Sequence, residues 1–168
     1  MSHGQRKPRV PRYPLTDTIS RAIGNATKPA KHDIASVFHP ISTAATAFRE
    51  GVGTVADWSL IAGSLDVAIC IEKQGVVRGL KGHLVEFEQV WQAIHDRCNR
   101  STGWHRTPLW FHELDALRDF VRLHGYQINQ LSRAEYLNAI ELATSRIKSN
   151  GGTVQVVTKI ETTESATA

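Results

Sequence analysis

The sequence predicts an all-α protein: a compact antiparallel bundle of four main helices, with one or two short helices ahead of them. Three observations carry this. Between Leu80 and Cys98 the large apolar residues Leu80, Leu84, Phe87, Trp91, Ile94 and Cys98 are separated by steps of four, three, four, three and four, which holds them on one face of a helix for about five turns. The helix-period runs that follow Thr54 and Ser132 each open on a hydroxyl residue able to cap them. The one β-like run, Thr153 to Ile160, has no visible partner strand. Short loops between the runs favour antiparallel neighbours.

The chain of 168 residues is read as one domain with a tail at each end. Residues 1–31 form a basic arm and linker, residues 32–150 the helical domain, and residues 151–168 an extended or disordered tail. Within the arm, Pro8, Pro11 and Pro14 recur at every third position and exclude a helix. Thr16 or Asp17 then caps a short helix through Ile19 and Ile23, ended by Gly24-Asn25. Asp33 to Phe38 is a helical turn, and Pro40 opens the next helix at its first position. That helix turns Ile41, Ala44, Ala45 and Phe48 inward and ends at Gly51-Val52-Gly53, a turn rather than a nucleotide loop, since no strand precedes it and no third glycine follows.

Thr54, supported by Asp57, caps a helix through Val55, Trp58, Ile61, Leu65, Ala68 and Ile69 that stops near Gly75. Gly75, Gly79 and Gly82 fall within eight residues, too many for one unbroken helix, and are read as a turn, or an irregular first helical turn, leading into the central helix, which runs to Ser101-Thr102-Gly103. Thr107-Pro108 restarts a helix as N-cap and first residue. Its faces hold Trp110, Leu114, Leu117 and Val121, widened by Phe111, Phe120 and Leu123, and His124-Gly125 closes it. Ser132 and Glu135 make a capping box, stapled by Leu131 and Tyr136, for a last helix through Leu137, Ile140, Ala143 and Ile147 to Asn150-Gly151.

Charge is distributed unevenly. Residues 1–31 carry seven basic side chains against Asp17, a net of +6, while the other 137 residues sum to −2. The arm's Arg6, Lys7, Arg9 and Arg12 are either solvated or laid along an acidic surface, nucleic acid or protein. Cys70 and Cys98, the two cysteines, lie in apolar helical stretches and are read as buried thiols, which fits a reducing compartment. No apolar core follows the basic N-terminus, and the most apolar window contains Asp57 and Asp66, so no membrane span is expected. The expected location is cytoplasmic.

No catalytic motif stands out. The serines lack a nucleophile elbow, and there is no phosphate loop and no H-E-x-x-H. His95, Cys98, His105 and His112 have the residue types of a zinc site, but Ile94 and Cys98 share the core face while His95 is turned about 100° from Ile94, the loop holds no second cysteine, and histidines are scattered along the chain. They are read as packed or surface residues, with no metal and no cofactor. Trp58, Trp91 and Trp110 fall on apolar faces and are expected in the core. Trp104 lies in a loop with Arg100, His105 and Arg106. Together with Arg97 that loop is the expected contact patch.

The leader Arg6-Lys7-Pro8-Arg9-Val10-Pro11 ahead of a helical body, together with His124-Gly125-Tyr126 and Leu131 to Glu135, resembles small uncharacterised helical proteins carried by bacterial phages and prophages. The resemblance implies a phage-borne accessory protein acting in the bacterial cytoplasm, and assigns no site. The function expected is that of a non-enzymatic binding protein, which meets a host or phage protein, including a target in an anti-defence role, through its helical surface and basic arm. The alternative is a nucleic-acid-binding accessory or regulatory protein using the arm. A helix-turn-helix formed by Phe111–Gly125 and Ser132–Ile147 is disfavoured, because the predicted loop is too long and the second helix has few exposed basic residues.

Overall fold

The computed structural model describes residue 28 and residues 31–151. Five helices follow one another: α1 (Lys31–Arg49), α2 (Val55–Gln74), α3 (Lys81–Cys98), α4 (Phe111–Gln130) and α5 (Arg133–Ser149), with two-residue strands β1 (Asn99–Arg100) and β2 (Gly103–Trp104) between α3 and α4. The fold is all-α, as the apolar periodicity requires. The arm with Arg6, Lys7, Arg9 and Arg12, the short helix expected through Ile23 and the β-like run 153–160 lie outside the described residues.

Helix α2 is the hub and packs against all four other helices, while α4 also meets α1 and α3. The main core draws Ala44 and Phe48 from α1, Ile61, Leu65 and Ala68 from α2, Leu117 and Phe120 from α4, and the whole central stripe of α3 from Leu84 to Cys98. Trp91 sits at its centre, meeting Phe48 edge-on at 5.0 Å and Phe87 at 5.5 Å. Trp58 and Trp91 lie parallel, and each indole N–H donates to the other residue's backbone carbonyl, at 3.1 and 3.3 Å. This exchange satisfies both polar handles and ties α2 to α3, so two large side chains can be placed here without an orphaned donor. A second core, of Cys70, Ile71, Val77, Leu131, Ala139 and Ala143, joins α5 to the C-terminal half of α2. Both thiols are free and buried.

The caps follow the local sequence. Thr54 Oγ1 accepts the Asp57 N–H and the Asp57 carboxylate accepts the Thr54 N–H. Ser132 and Glu135 reciprocate in the same way. Gly75 ends α2 with φ of 78°, a left-handed geometry that glycine adopts without strain. Gly53 is needed for close approach, since a Cβ there would stand 2.7 Å from the Phe48 ring. Leu80 offers no capping oxygen, and the Glu72 carboxylate reaches across the turn to accept the N–H groups of Gly79 and Leu80 instead.

Several sequence expectations are corrected. The turn at Asp33–Phe38 and the helix expected from Pro40 are one helix, α1, with Pro40 inside it. The half-buried Ile34, Val37 and Phe38 continue the stripe of Ile41, Ala44, Ala45 and Phe48, so burial holds the helix through the proline. Helix α3 stops at Cys98, and Ser101-Thr102 is the turn of a small hairpin in the register Asn99↔Trp104 and Arg100↔Gly103. Thr107-Pro108 does not open α4, which begins at Phe111 and runs past His124-Gly125 to Gln130. Gly125 leaves room for the Phe38 ring from α1. Finally, the α4–α5 link is only Leu131-Ser132, shorter than expected for a helix-turn-helix, yet α5 lies along α2 rather than α4. Leu137 falls outside its buried face, which is built on Ala139 and Ala143.

Candidate interaction site at the aromatic end

One end of the bundle gathers the α1–α2 turn, the β1–β2 hairpin and the start of α4. Trp104 joins them: its indole donates to the Gly53 carbonyl at 3.0 Å, and Gly51 lies against Pro108. Trp104 is therefore half-buried as a brace between hairpin and turn. The exposed aromatic contact expected of it is supplied by its neighbours in sequence. Trp110 is 59% exposed and Phe111 89% exposed, correcting the expectation that both face the core. Leu109 is buried in their place. Val52 and Val55, also exposed, flank the Gly53 that holds Trp104. Four of the nine large hydrophobics exposed among the described residues thus belong to this end, and clustering rather than number is what distinguishes a contact surface from ordinary scatter.

The site rests on an ion pair. Arg97, in the last turn of α3, grips Glu113, in the first turn of α4, with both terminal guanidinium nitrogens; the Nη2–Oε2 bond is 2.6 Å. Glu113 is buried and also accepts the Trp110 N–H at 2.8 Å. Burial pushes its carboxyl up, but the Arg97 bond, the Trp110 N–H and the nearby positive charge outweigh this and hold it below the usual carboxylate range. The Glu113 bond also raises the Arg97 guanidinium. The same guanidinium lies 4.3 Å from the centre of the Trp110 ring, a stacking arrangement that fixes the indole. Arg97 is thus consumed internally, as an organiser of the patch. Only half of a capping box exists here, because an indole has no oxygen to return the bond, and no side chain caps the first turn of α4.

Arg100 and Arg106 are exposed and form no ion pair among the described residues. Arg100 donates to the Arg97 carbonyl. Arg97, Arg100, Trp104 and Arg106 thus lie in one region but have different surroundings: Arg97 is paired with Glu113, Trp104 braces the hairpin, and Arg100 and Arg106 are exposed. The structure adds Trp110, Phe111, Val52 and Val55. The sequence held one indication of this, the spacing of Trp110 and Glu113, which marks a helix start three residues later than Pro108.

The other sequence candidates are dispersed. Cys98 is in the core, the His95 ring lies 4.6 Å from Trp58 and beside Asp96, and His105 Nε2 meets Thr102 Oγ1 at 2.6 Å. Among the described residues no group of three or more His, Cys, Asp or Glu side chains is placed to hold a metal, and no helix is long and apolar enough to cross a membrane. A groove of about 280 Å³ between α3 and α4 is floored by the stacked Phe87 and Phe120 rings. Two of its rim carboxylates, Asp115 and Asp119, are engaged by Arg118. No family model, curated protein or solved structure matches the chain.

Proposed function

We propose that this is a binding protein rather than an enzyme, which docks a protein partner on the aromatic end of its bundle. The observation that carries the reading is the adjacent pair Trp110 and Phe111, both largely in water, with Trp110 held in place by the Arg97–Glu113 ion pair. Aromatic residues and arginine are the types that dominate binding energy at protein interfaces. Covering both rings removes roughly 300 Å² of apolar surface, worth about 7 kcal/mol before the entropy of association is subtracted. A prefixed indole loses little freedom on docking, so less of that gain is offset. The leader's resemblance to phage-borne accessory proteins supports a host or phage protein as the partner, host defence components included, with the basic arm as a second contact.

The test is capture from bacterial lysate with nuclease present, comparing the full chain with a Trp110→Ala/Phe111→Ala variant. Both side chains are exposed, so the variant is expected to keep the parent's thermal midpoint and helicity. The expected result is a protein retained by the parent and lost by the variant. Equal retention by the two would remove the aromatic end from the interface, and capture abolished by nuclease would favour the arm-driven nucleic-acid reading.

A further inference from the structure

We infer that the segment seated on the aromatic end is acidic: an apolar or aromatic anchor flanked by Asp or Glu. The inference rests on the docking role proposed for this end and adds the chemistry of its partner. From Arg97 to His112 the chain carries three arginines and two histidines and no carboxylate. The next acid, Glu113, is buried against Arg97, so that pair presents no net charge to an occupant. What remains outward in this run is Arg100 and Arg106, neither of them paired among the described residues, while on the neighbouring α1–α2 turn the exposed Arg49 and Glu50 offset each other. Asp96, just before the run, is engaged with His95 and Gln92. A basic segment would meet like charge here, whereas an acidic one meets free cations around an apolar centre, the arrangement that steers encounter and fixes register.

The same observations separate a protein from a nucleic acid. Val52 and Val55 are aliphatic and offer no stacking face, but they extend the apolar centre that a protein side chain would use. The Arg97 guanidinium occupies one face of Trp110, leaving a single face for stacking. Arg100 and Arg106, the two arginines of this run that lie outside ion pairs among the described residues, also make a short track for a phosphate backbone, whose binding rests on many such contacts.

The experiment is selection of a displayed library of short randomised peptides on the full chain, with counter-selection on Trp110→Ala/Phe111→Ala. The enriched peptide is then titrated, fluorescein-labelled, against the parent and against Arg100→Glu/Arg106→Glu at low and high salt. The expected result is a consensus with an apolar anchor between acidic residues, at least about tenfold weaker binding to the charge-reversed chain, and a smaller salt dependence for that chain. Enriched peptides with no acidic excess, or affinity unchanged by charge reversal at unchanged thermal midpoint, would overturn the inference while leaving aromatic docking in place. No enrichment, or equal binding to the alanine variant, would overturn both. Displacement of the peptide by a single-stranded oligonucleotide of comparable affinity would assign the site to nucleic acid instead.

Discussion

His124 lies in the second half of α4 with almost no access to water, stacked on Phe120 with the ring planes 5° apart. Its neighbour Gln127 donates from Nε2 to the Ala68 carbonyl at 3.1 Å, which leaves Oε1 as an acceptor, so the histidine's Nδ1–H is the donor in the 3.4 Å contact between them. Burial pushes the imidazole down to about 4, against a small opposing effect of the Gln127 bond. The folded protein therefore holds this histidine neutral where the unfolded chain would protonate it. Above pH 6.5 neither state is charged and the group is silent. As pH falls from 6.5 toward 4 the unfolded state gains the proton first, and stability drops by up to about 3 kcal/mol. Thermal midpoints measured across this window should fall in the parent and stay flatter in His124→Gln, most clearly between pH 5 and 6.5, above the range of ordinary carboxylates. Parallel curves for the two proteins would contradict the buried, neutral assignment.

Helix α1 shows an element that persists against its own sequence. Pro40 cannot donate to the carbonyl four residues back, and a proline in a helix interior costs up to about 3 kcal/mol. The helix continues because Ile41, Ala44, Ala45 and Phe48 bury one face against α2 and α4. Pro40→Ala should therefore stabilise the protein, by about 1–3 kcal/mol after the greater freedom of the unfolded chain is allowed for. If Pro40 were instead a true helix start, the same change would be neutral or unfavourable. The Ser132 cap at the other end of the chain predicts the opposite sign. Its hydroxyl accepts the Glu135 N–H, and Ser132→Ala should lower stability by about 1 kcal/mol, with no effect on binding at the distant aromatic end. Denaturant midpoints at unchanged slope would measure both variants.

At the scale of the molecule, the helices are unequally supported. Helices α1 to α4 share the main core, whereas α5 is packed chiefly on α2 through the small residues Ala139 and Ala143. Its remaining links are few: the Gln74 amide on the Glu135 carbonyl at 3.2 Å, and Arg146 beside Asp66 at 3.5 Å. Burial pushes the Asp66 carboxyl up despite Arg146, so that ion pair adds little. Regions with few buried apolar contacts open below the global unfolding energy. Hydrogen exchange should show α5 amides exchanging through a local opening while those of α2 and α3 exchange with the whole fold. Uniform protection across α2, α3 and α5 would mean that α5 belongs to the main cooperative unit.

The central helix was legible in the chain because a four-three repeat is a property of one segment, needing no knowledge of what covers it. The reciprocal caps at Thr54–Asp57 and Ser132–Glu135 were legible for the same reason, since each is made within four residues. Trp110 and Phe111 were not. By composition they belong in a core, and Thr107-Pro108 is a stronger local helix start than Trp110. The start at Phe111 is held by the local Trp110 N–H bond to Glu113 and by the Arg97 guanidinium, sixteen residues from Glu113 along the chain, which reaches it only once α3 and α4 are packed side by side. Leu109 then takes the buried position and the two rings are left outside. The fusion of α1 through Pro40 has the same origin, an apolar stripe whose covering helices are distant in sequence. Local hydrogen bonds and periodicity were thus set by the sequence alone. Which apolar residues remain in water, and hence where this protein can meet a partner, was decided by long-range ion pairing and by which helix faces the tertiary packing happens to cover.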